Sequence, residues 1–485
     1  MIVYVSSDIS IEVLKQAVVT HNDGLPIATE RLDAPVPSAP AAAFPPEFYE
    51  PFFSAHSKTW SAGAIRGVMI HENKPGMLSL LAGKPNSSTF PITSLSMKIK
   101  SPVPPFTETT IELEQDKLDE ALQYGPLIGQ GDLVNQLFDL QLAFHGRKRD
   151  PSWRISIGAG GQDVIYKIIT TLTDPGDVVL CEAPTWAGIL PALRSSMAEL
   201  VEVPIDSRGI RSSELRRMLE NWPKNKKMPK FIYTVPYGCN PSGITAAIER
   251  RKELLELARK YQFIILEDDP YYLLYYGEEA RPPSYFELEG QDNYGTGIVV
   301  RSDSFSKVFS PGLRMGFVSG PTSIVNRIDL FTSQAQLQPS SLSQSVVSAI
   351  LAKWEIDGFR AHAHTVAQFY DARRKVFEAA MEKHLGGLVE YTSPVAGMFL
   401  WFKLLIPPPA DDPNATEGDS NELITQVAFK RGVLACPGGS FFAGGRRSAY
   451  VRAAFSVLTD EETDEALRRL AEVVREARGE LVPKV

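Results

Sequence analysis

The middle of the chain alternates short apolar runs with longer amphipathic segments, and this rhythm restricts the possible folds more than any other feature. Segments with helical periodicity, such as Gln162–Leu172 and Arg251–Tyr261, lie between runs rich in β-branched and aromatic residues. Those runs are Arg154–Ile157, Val178–Cys181, Leu200–Pro204, Phe231–Val235, Phe263–Glu267 and Ile298–Arg301. Strands that alternate with helices predict an α/β fold, with a mainly parallel central sheet covered by helices on both faces.

The last part of the chain has a different order of elements. A long helix is predicted for Phe359–Lys383, followed by strands near Met398–Phe402 and Tyr450–Phe455. A further helix is expected to begin at Thr459, because Glu462 three residues later completes a capping box. This order predicts a smaller α+β domain beside the central sheet.

Composition suggests how the chain divides. The first 60 residues are rich in proline and short of lysine and arginine, which is typical of an extended arm. The predicted parts are an N-terminal arm at 1–60, a segment contributing to the small domain at 61–120, a large domain at 121–350, and a small C-terminal domain at 351–485 with a surface loop at 407–420.

Charge and cysteine content exclude several classes of partner. The 50 lysines and arginines against 58 aspartates and glutamates give a net charge of −8, so the chain has no overall attraction for nucleic acid or anionic lipid. No apolar run approaches the roughly 18–20 residues that span a bilayer. The three cysteines form no CxxC pair, and no cluster of metal-ligand residues is visible. We therefore expect a cytoplasmic protein with no metal site and no nucleic-acid or membrane partner.

Polar residues recur just beyond the predicted strands. Asn240, Asp268 and Lys307 each follow a different apolar run. In open α/β sheets, ligands bind at the carboxyl edge of the strands. Each residue alone has an ordinary structural explanation, but their recurrence after three strands favours a ligand site.

The segment SDSFSKVFSPGLRMGF, from Ser302 to Phe317, carries the clearest chemical signal. Lys307 stands between the hydroxyls of Ser304 and Ser306, among apolar neighbours, and Arg314 follows. Desolvation lowers the pKa of a lysine and frees its amine to form a Schiff base. Serine hydroxyls and a guanidinium suit a phosphate dianion. An imine-forming amine beside a phosphate cup is the combination that pyridoxal phosphate requires.

Other segments then find roles around the same cofactor. The run GAGGQD, Gly158–Asp163, opens a predicted helix whose N-terminus favours an anion. Asp268 can pair with a protonated pyridine nitrogen and keep the ring electron-withdrawing. Asn240 and Tyr271 can hydrogen-bond the phenolic oxygen of the ring, and Trp186 can stack on its face.

Together these motifs resemble the fold type I, class I and II pyridoxal-phosphate aminotransferases. The matching motifs are LAGKPN (Leu81–Asn86), LQYGPLIGQGDL (Leu122–Leu133), GAGGQD, EAPTW (Glu182–Trp186), YGCNPSG (Tyr237–Gly243), EDDPYY (Glu267–Tyr272), SFSKVFSPGLRMGF (Ser304–Phe317) and YVRAAFS (Tyr450–Ser456). The resemblance implies the type I pyridoxal-phosphate transferase fold and makes Lys307 the Schiff-base lysine. It also implies that the large domain at 121–350 binds the cofactor and that the segment at 61–120 acts as an N-terminal gate. It implies cofactor binding by Tyr124, Gly161, Gln162, Trp186, Asn240, Asp268, Tyr271, Ser304, Ser306 and Arg314. Tyr124 would reach the phosphate of the partner subunit, which implies a homodimer with shared active sites.

Within that family the chain is most similar to the fungal aromatic and the kynurenine/2-aminoadipate aminotransferases. This similarity implies that Arg452 binds the substrate α-carboxylate and that Arg66, in SAGAIRG, meets the substrate side chain. Gly83, Phe399 and Phe441 would belong to the same substrate pocket. Two positions depart from the pattern, because Gly161 stands where relatives often carry Ser and Trp186 where they often carry Tyr.

The expected reaction moves the amino group of an aromatic amino acid, or of kynurenine or 2-aminoadipate, to a 2-oxo acid such as 2-oxoglutarate. The motifs leave open another reaction of the same cofactor, a β-elimination or a decarboxylation. A transcription regulator with an aminotransferase-like domain would need a basic DNA-binding domain, and residues 1–60 are short of lysine and arginine.

Overall fold

The computed structural model describes residues 43–63, 68, 71, 74–81, 83–291, 295–409 and 415–481. The strands of these residues form a two-stranded hairpin, a large sheet and a small sheet. Their bounds are β1 Ser96–Lys100, β2 Glu108–Glu112, β3 Trp153–Gly158, β4 Val178–Ala183, β5 Glu199–Asp206, β6 Gly209–Ile210, β7 Pro229–Thr234, β8 Ile264–Asp269, β9 Val299–Ser304, β10 Gly316–Pro321, β11 Val389–Tyr391, β12 Phe399–Leu404, β13 Cys436–Pro437 and β14 Tyr450–Ala454.

The large sheet has eight strands in the order β3-β10-β9-β8-β7-β4-β5-β6. From β9 through β8, β7 and β4 to β5, all neighbouring strands are parallel. The prediction of a mainly parallel central sheet is therefore confirmed. Strand β10 is antiparallel to both of its neighbours, and it was not predicted because its sequence GFVSGP contains glycine and proline, which are depleted in strands.

Helices cover the large sheet and connect it with the small one. The α-helices are Ala55–Lys58, Gln115–Leu122, Gly131–His145, Gly161–Leu172, Leu190–Ser195, Ser212–Glu220, Ile248–Tyr261, Tyr285–Gln291, Thr322–Ala335, Ser341–Leu385, Ser420–Glu422 and Asp460–Ala477. A π-helical segment, Leu423–Ala428, follows the eleventh of these. Apart from β5, which is mostly half-buried, the strands of the large sheet are buried along almost their whole length, because helices pack on both of its faces.

The small sheet is antiparallel, with the order β11-β12-β14-β13. The helix that begins after Thr459 packs against the long helix Ser341–Leu385 and has the predicted capping box with Glu462. The long helix Ser341–Leu385 is interrupted at Glu355, whose φ of 55° and ψ of −173° are not helical. The predicted domain boundary at residue 350 falls inside this helix, five residues before the interruption at Glu355.

Residues 43–60 pack against the large sheet, although a peripheral arm was expected there. Tyr49, Phe52 and Phe53 are buried in the main core, and the Tyr49 hydroxyl donates a 2.9 Å hydrogen bond to the carbonyl of Gly297. These three aromatic residues anchor this part of the predicted arm, and the proline-rich composition obscured them in the sequence. Residues 1–42 lie outside the described residues.

Within the described ranges, no helix combines the length and the apolar character needed to cross a membrane. The same residues contain no group of three His, Cys, Asp or Glu side chains placed to hold a metal ion. The three cysteines are free thiols. The loop predicted at 407–420 is described on both sides of residues 410–414, which lie outside the described residues.

Candidate active site

The carboxyl ends of the parallel strands bring the predicted residues to one edge of the large sheet. Asp268 is the penultimate residue of β8, and Lys307 lies in the turn that follows β9. Asn240 lies in the loop after β7 and is 6% exposed. Parallel strands end at the same edge, so three segments far apart in sequence meet there.

Asp268 is a buried carboxylate with one strong partner. The hydroxyl of Tyr233, in β7, donates a 2.6 Å hydrogen bond to Oδ2 of Asp268. Burial raises the pKa of Asp268 to about 7, against the hydrogen bond from Tyr233, which lowers it. A cation in contact with this buried carboxylate would strongly stabilise its ionised form.

A buried ionic network holds the strand ends on either side of Asp268. The guanidinium of Arg301, in β9, is fully buried. It lies 3.3 Å from Glu267, 2.9 Å from Asp269 and 2.7 Å from Asp303. Because side chains alternate along a strand, Glu267 and Asp269 point away from the face that carries Asp268. The sequence analysis missed this network, although two acidic residues flanking Asp268 were a visible signal.

Glu182, at the end of β4, is a second residue that sequence reasoning missed. Its carboxylate accepts hydrogen bonds from the Thr234 hydroxyl at 2.7 Å, the Val235 backbone N–H at 3.1 Å and the Cys239 thiol at 3.4 Å. Burial raises the pKa of Glu182 to about 7. These bonds join both ends of the loop that leads to Asn240, so Glu182 helps to set the position of that amide.

Lys307 has the electrostatic surroundings of a reactive amine. Burial lowers its pKa, and the positive charges of Arg314 and Arg452 lower it further. A lysine amine that loses its proton easily can act as a nucleophile and as a base. Each of these two arginines belongs to one of the two clusters described next.

The first cluster is a cup suited to a phosphate. The helix Gly161–Leu172 begins without a side-chain cap at Gly160, which leaves its first N–H groups available to an anion. The Arg314 guanidinium lies against Gly160 and donates hydrogen bonds to the Ser306 hydroxyl at 3.4 Å and to the Ala159 carbonyl at 3.2 Å. The cup also includes Ser304, whose hydroxyl accepts the backbone N–H of Ser306 at 3.2 Å, and exposed Gln162 in the first helical turn.

The second cluster surrounds Arg452 in β14. Its Nη1 donates a 3.0 Å hydrogen bond to Oδ1 of Asn240. Its guanidinium carbon lies 4.4 Å from the ring centroid of Phe399 and 5.1 Å from that of Phe441. The Nε atom of Arg452 is buried and has no hydrogen-bond partner in the part of the chain that the structure describes. Two apolar rings and an unused donor make this guanidinium a candidate site for a carboxylate.

Tyr271 joins the second cluster to Asp268. Its ring meets that of Phe399 edge to face, with centroids 6.2 Å apart. Burial raises its pKa above the ordinary value, while a hydrogen bond with Asn240 lowers it. Tyr271 and Asn240 therefore present two polar groups to each other at this edge of the sheet, and their binding of one ring oxygen stays a prediction.

The other predicted residues lie at the edge of these clusters or apart from them. Trp186 follows Thr185, whose backbone N–H donates a 2.8 Å hydrogen bond to the Phe441 carbonyl. Tyr124 is 57% exposed and Gly83 is also exposed. No hydrogen bond or ring contact within the described ranges links Tyr124 or Gly83 to the clusters. Arg66 lies outside the described residues.

Comparison with known proteins identifies the family to which the chain belongs. The family model for aminotransferase class I and II matches residues 97–470. Aminotransferase tdiD of Emericella nidulans is 40% identical over 425 residues, which cover 87% of this chain and 95% of that protein. The mitochondrial kynurenine/alpha-aminoadipate aminotransferase of Rattus norvegicus is 35% identical over 443 residues, covering 88% of this chain and 99% of that protein. The crystal structure of aminotransferase Aro8 from Candida albicans is similar with a TM-score of 0.80 and 26% identity, covering 91% of this chain and 100% of that chain. The chain therefore belongs to the class I and II aminotransferases and is an enzyme of that family.

Proposed function

We propose that this aminotransferase binds pyridoxal 5′-phosphate and moves the amino group of an aromatic amino acid to a 2-oxo acid such as 2-oxoglutarate. The observation that carries the proposal is the position of Arg452, with its guanidinium against Phe399 and Phe441 and its Nη1 on Asn240. Kynurenine and 2-aminoadipate belong to the same proposal, since the rat relative is named for both substrates.

The residues present fit the cofactor. The uncapped helix start, Arg314 and the hydroxyls of Ser304 and Ser306 supply the donors that a phosphate dianion needs. Buried Asp268 supplies the anion for a protonated pyridine nitrogen. At the same edge of the sheet, Lys307 supplies an amine of lowered pKa for the aldehyde carbon.

When bound, pyridoxal phosphate supplies an electron-withdrawing ring that stabilises negative charge at the substrate α-carbon. Asp268 would keep that ring cationic, while Asn240 and Tyr271 would hold its phenolic oxygen and Trp186 would cover one of its faces. The amine of Lys307 would act as the base that takes the proton from the substrate α-carbon.

The Arg452 guanidinium would bind the α-carboxylate that amino donors and 2-oxo acids share. Arginine offers two parallel N–H donors to a carboxylate, which fixes the orientation of the α-carbon. The rings of Phe399 and Phe441 would help to exclude water from this ion pair, and half-buried Phe399 would provide apolar surface for an aromatic side chain. We further propose that Arg66 pairs with the distal carboxylate of 2-oxoglutarate or 2-aminoadipate.

We propose a homodimer in which Tyr124 completes the phosphate cup of the partner subunit. The 57% exposure of Tyr124 on the single chain leaves it available for that role.

We also propose a cytoplasmic location, because the three cysteines of the chain are free thiols, as is usual in a reducing compartment. Fractionation of cells against cytosolic and mitochondrial markers tests the location, and a mitochondrial signal would contradict it.

A panel of amino donors with 2-oxoglutarate tests the reaction. Phenylalanine, tyrosine, tryptophan and kynurenine should give glutamate and the matching 2-oxo acid, with kcat/KM values above those for alanine or aspartate. Ammonia or carbon dioxide in place of glutamate would instead identify a β-elimination or a decarboxylation.

The Arg66→Ala variant should lose more rate in the 2-oxoglutarate half-reaction than in the aromatic one. Equal losses would contradict the proposed pairing of Arg66 with the distal carboxylate.

A further inference from the structure

Ser302, in β9, carries a buried hydroxyl that none of the roles above uses. The residue is 1% exposed, and its Oγ atom has no hydrogen-bond partner among the described residues. Folding a hydroxyl into such a place without a partner costs stability, and an unpaired buried group in a native structure calls for an explanation.

The hydroxyl lies beside the start of the phosphate-binding helix. Ser302 is the register partner of Asp268 in β8, so both side chains project from the same face of the sheet. A Cβ atom placed on Gly161 would lie 3.9 Å from the Oγ of Ser302 and 3.8 Å from the Oγ of Ser304. Glycine at position 161 thus leaves a small space that two hydroxyls border.

That space opens on groups that favour an anion. Gly161 is the first residue of a helix of 12 residues without a side-chain cap, so the first N–H groups and the helix dipole point toward it. Ser304 belongs to the phosphate cup and also borders the space. An unpaired donor at the side of an anion site gains a partner when the anion and its ordered water arrive.

We infer that Ser302 is a cofactor-binding residue whose hydroxyl donates to a water molecule in the space beside Gly161, and that this water donates to the cofactor phosphate. The inference rests on the proposed function, because it takes pyridoxal phosphate as the occupant of the cup. A water molecule at this position would explain both the unpaired hydroxyl of Ser302 and the absence of a side chain at Gly161.

Binding of the cofactor to the apoenzyme tests the inference without any measurement of turnover. The dissociation constants of pyridoxal phosphate and of pyridoxal, which lacks the phosphate, are measured by absorbance titration. Ser302→Ala should bind pyridoxal phosphate about tenfold more weakly, the loss expected for one hydrogen bond in a charged network, and pyridoxal within about twofold of wild type.

The chain offers a matched control in Ser319 of β10. This residue is fully buried, and its Oγ also has no partner within the described ranges. Its neighbour Val318 is the register partner of Ser302, so Ser319 points to the opposite face of the sheet. Ser319→Ala should leave both dissociation constants unchanged.

A second substitution tests the space itself. Gly161→Ser adds a hydroxyl there, and the added Cβ would meet its nearest atom, the Cβ of Ser304, at 3.5 Å, an ordinary van der Waals contact. In the Ser302→Ala background, Gly161→Ser should restore the wild-type affinity for pyridoxal phosphate. The serine hydroxyl would then take the place of the bridging water.

Each outcome distinguishes the inference from the function on which it rests. Wild-type affinity in Ser302→Ala, or an equal loss for pyridoxal, would overturn the inference alone. A wild-type protein that does not bind pyridoxal phosphate would overturn the proposed function instead. Both alanine variants should melt at or above the wild-type apoenzyme, because each removes an unpaired buried hydroxyl. If Ser302→Ala does not fold, Ser302→Cys, with a weak donor of similar size, should show the same phosphate-specific loss.

Discussion

Replacing Tyr233 by Phe should change the pH at which the enzyme takes up its cofactor. The change removes only the hydroxyl that donates to Oδ2 of Asp268 at 2.6 Å. A hydrogen bond to a charged acceptor contributes about 1.5–3 kcal/mol, and 1.36 kcal/mol corresponds to a pKa change of one. Losing this bond should therefore raise the pKa of Asp268 from about 7 by roughly 1 to 2.

The sign of the effect on binding follows from the charge of Asp268. Only the ionised carboxylate pairs with a protonated pyridine nitrogen, so affinity falls as pH drops through the pKa of Asp268. At pH 7 the variant should bind pyridoxal phosphate about 5-fold to 50-fold more weakly than wild type, from the smaller ionised fraction. Near pH 10 the two proteins should differ little.

The assay is an absorbance titration of the two apoproteins from pH 5.5 to pH 10. The ionisations of the cofactor itself are common to both proteins, so the ratio of their dissociation constants reports Asp268. Tyr237→Phe is the matched control, because Tyr237 is also buried but donates to the Pro282 carbonyl. A ratio that does not change with pH would refute the reasoning and leave Tyr233 as a packing residue.

Four further predictions concern the site and its surroundings. Borohydride reduction of the yellow holoenzyme should attach the pyridoxyl group to Lys307, and Lys307→Ala should lose turnover; an adduct on another lysine contradicts the assignment. Arg452→Ala should lower kcat/KM for every substrate by about 30-fold to several thousand-fold, the cost of truncating a desolvated charge pair, whereas a loss confined to one substrate would contradict binding of the shared α-carboxylate. The Tyr124→Ala and Lys307→Ala variants, each nearly inactive alone, should regain activity when they are unfolded and refolded together, because one of the two active sites of a mixed dimer then contains neither substitution. A mixed dimer without activity would count against the shared site. Because burial raises the pKa of Glu182 to about 7, the folded protein loses stability as pH rises from about 4.5 to 7. In urea unfolding, Glu182→Gln should therefore be up to about 3 kcal/mol more stable than wild type at pH 8 and about equal to it at pH 4.5. Equal stabilities at pH 8 would contradict this prediction.

Local sequence was enough to predict the helices and strands and the chemical character of single segments. The β-branched runs became strands of the central sheet, and the capping box at Thr459 formed where it was predicted. The serine-flanked loop around Lys307 predicts a Schiff-base amine from adjacent residues alone. These features depend on residues within a few positions of one another, and short-range propensity and side-chain periodicity act over that distance.

Packing decided the contacts between distant segments. Arg452 meets Asn240 across 212 positions, and Tyr233 reaches Asp268 only because β7 and β8 are parallel in one register. The unpaired hydroxyl of Ser302 becomes visible only once the neighbours of β9 are known, since a serine in a strand has no fixed partner in sequence. Such contacts form when non-local burial offsets the entropy of closing long loops, and composition and short-range pattern carry little information about which segments will meet.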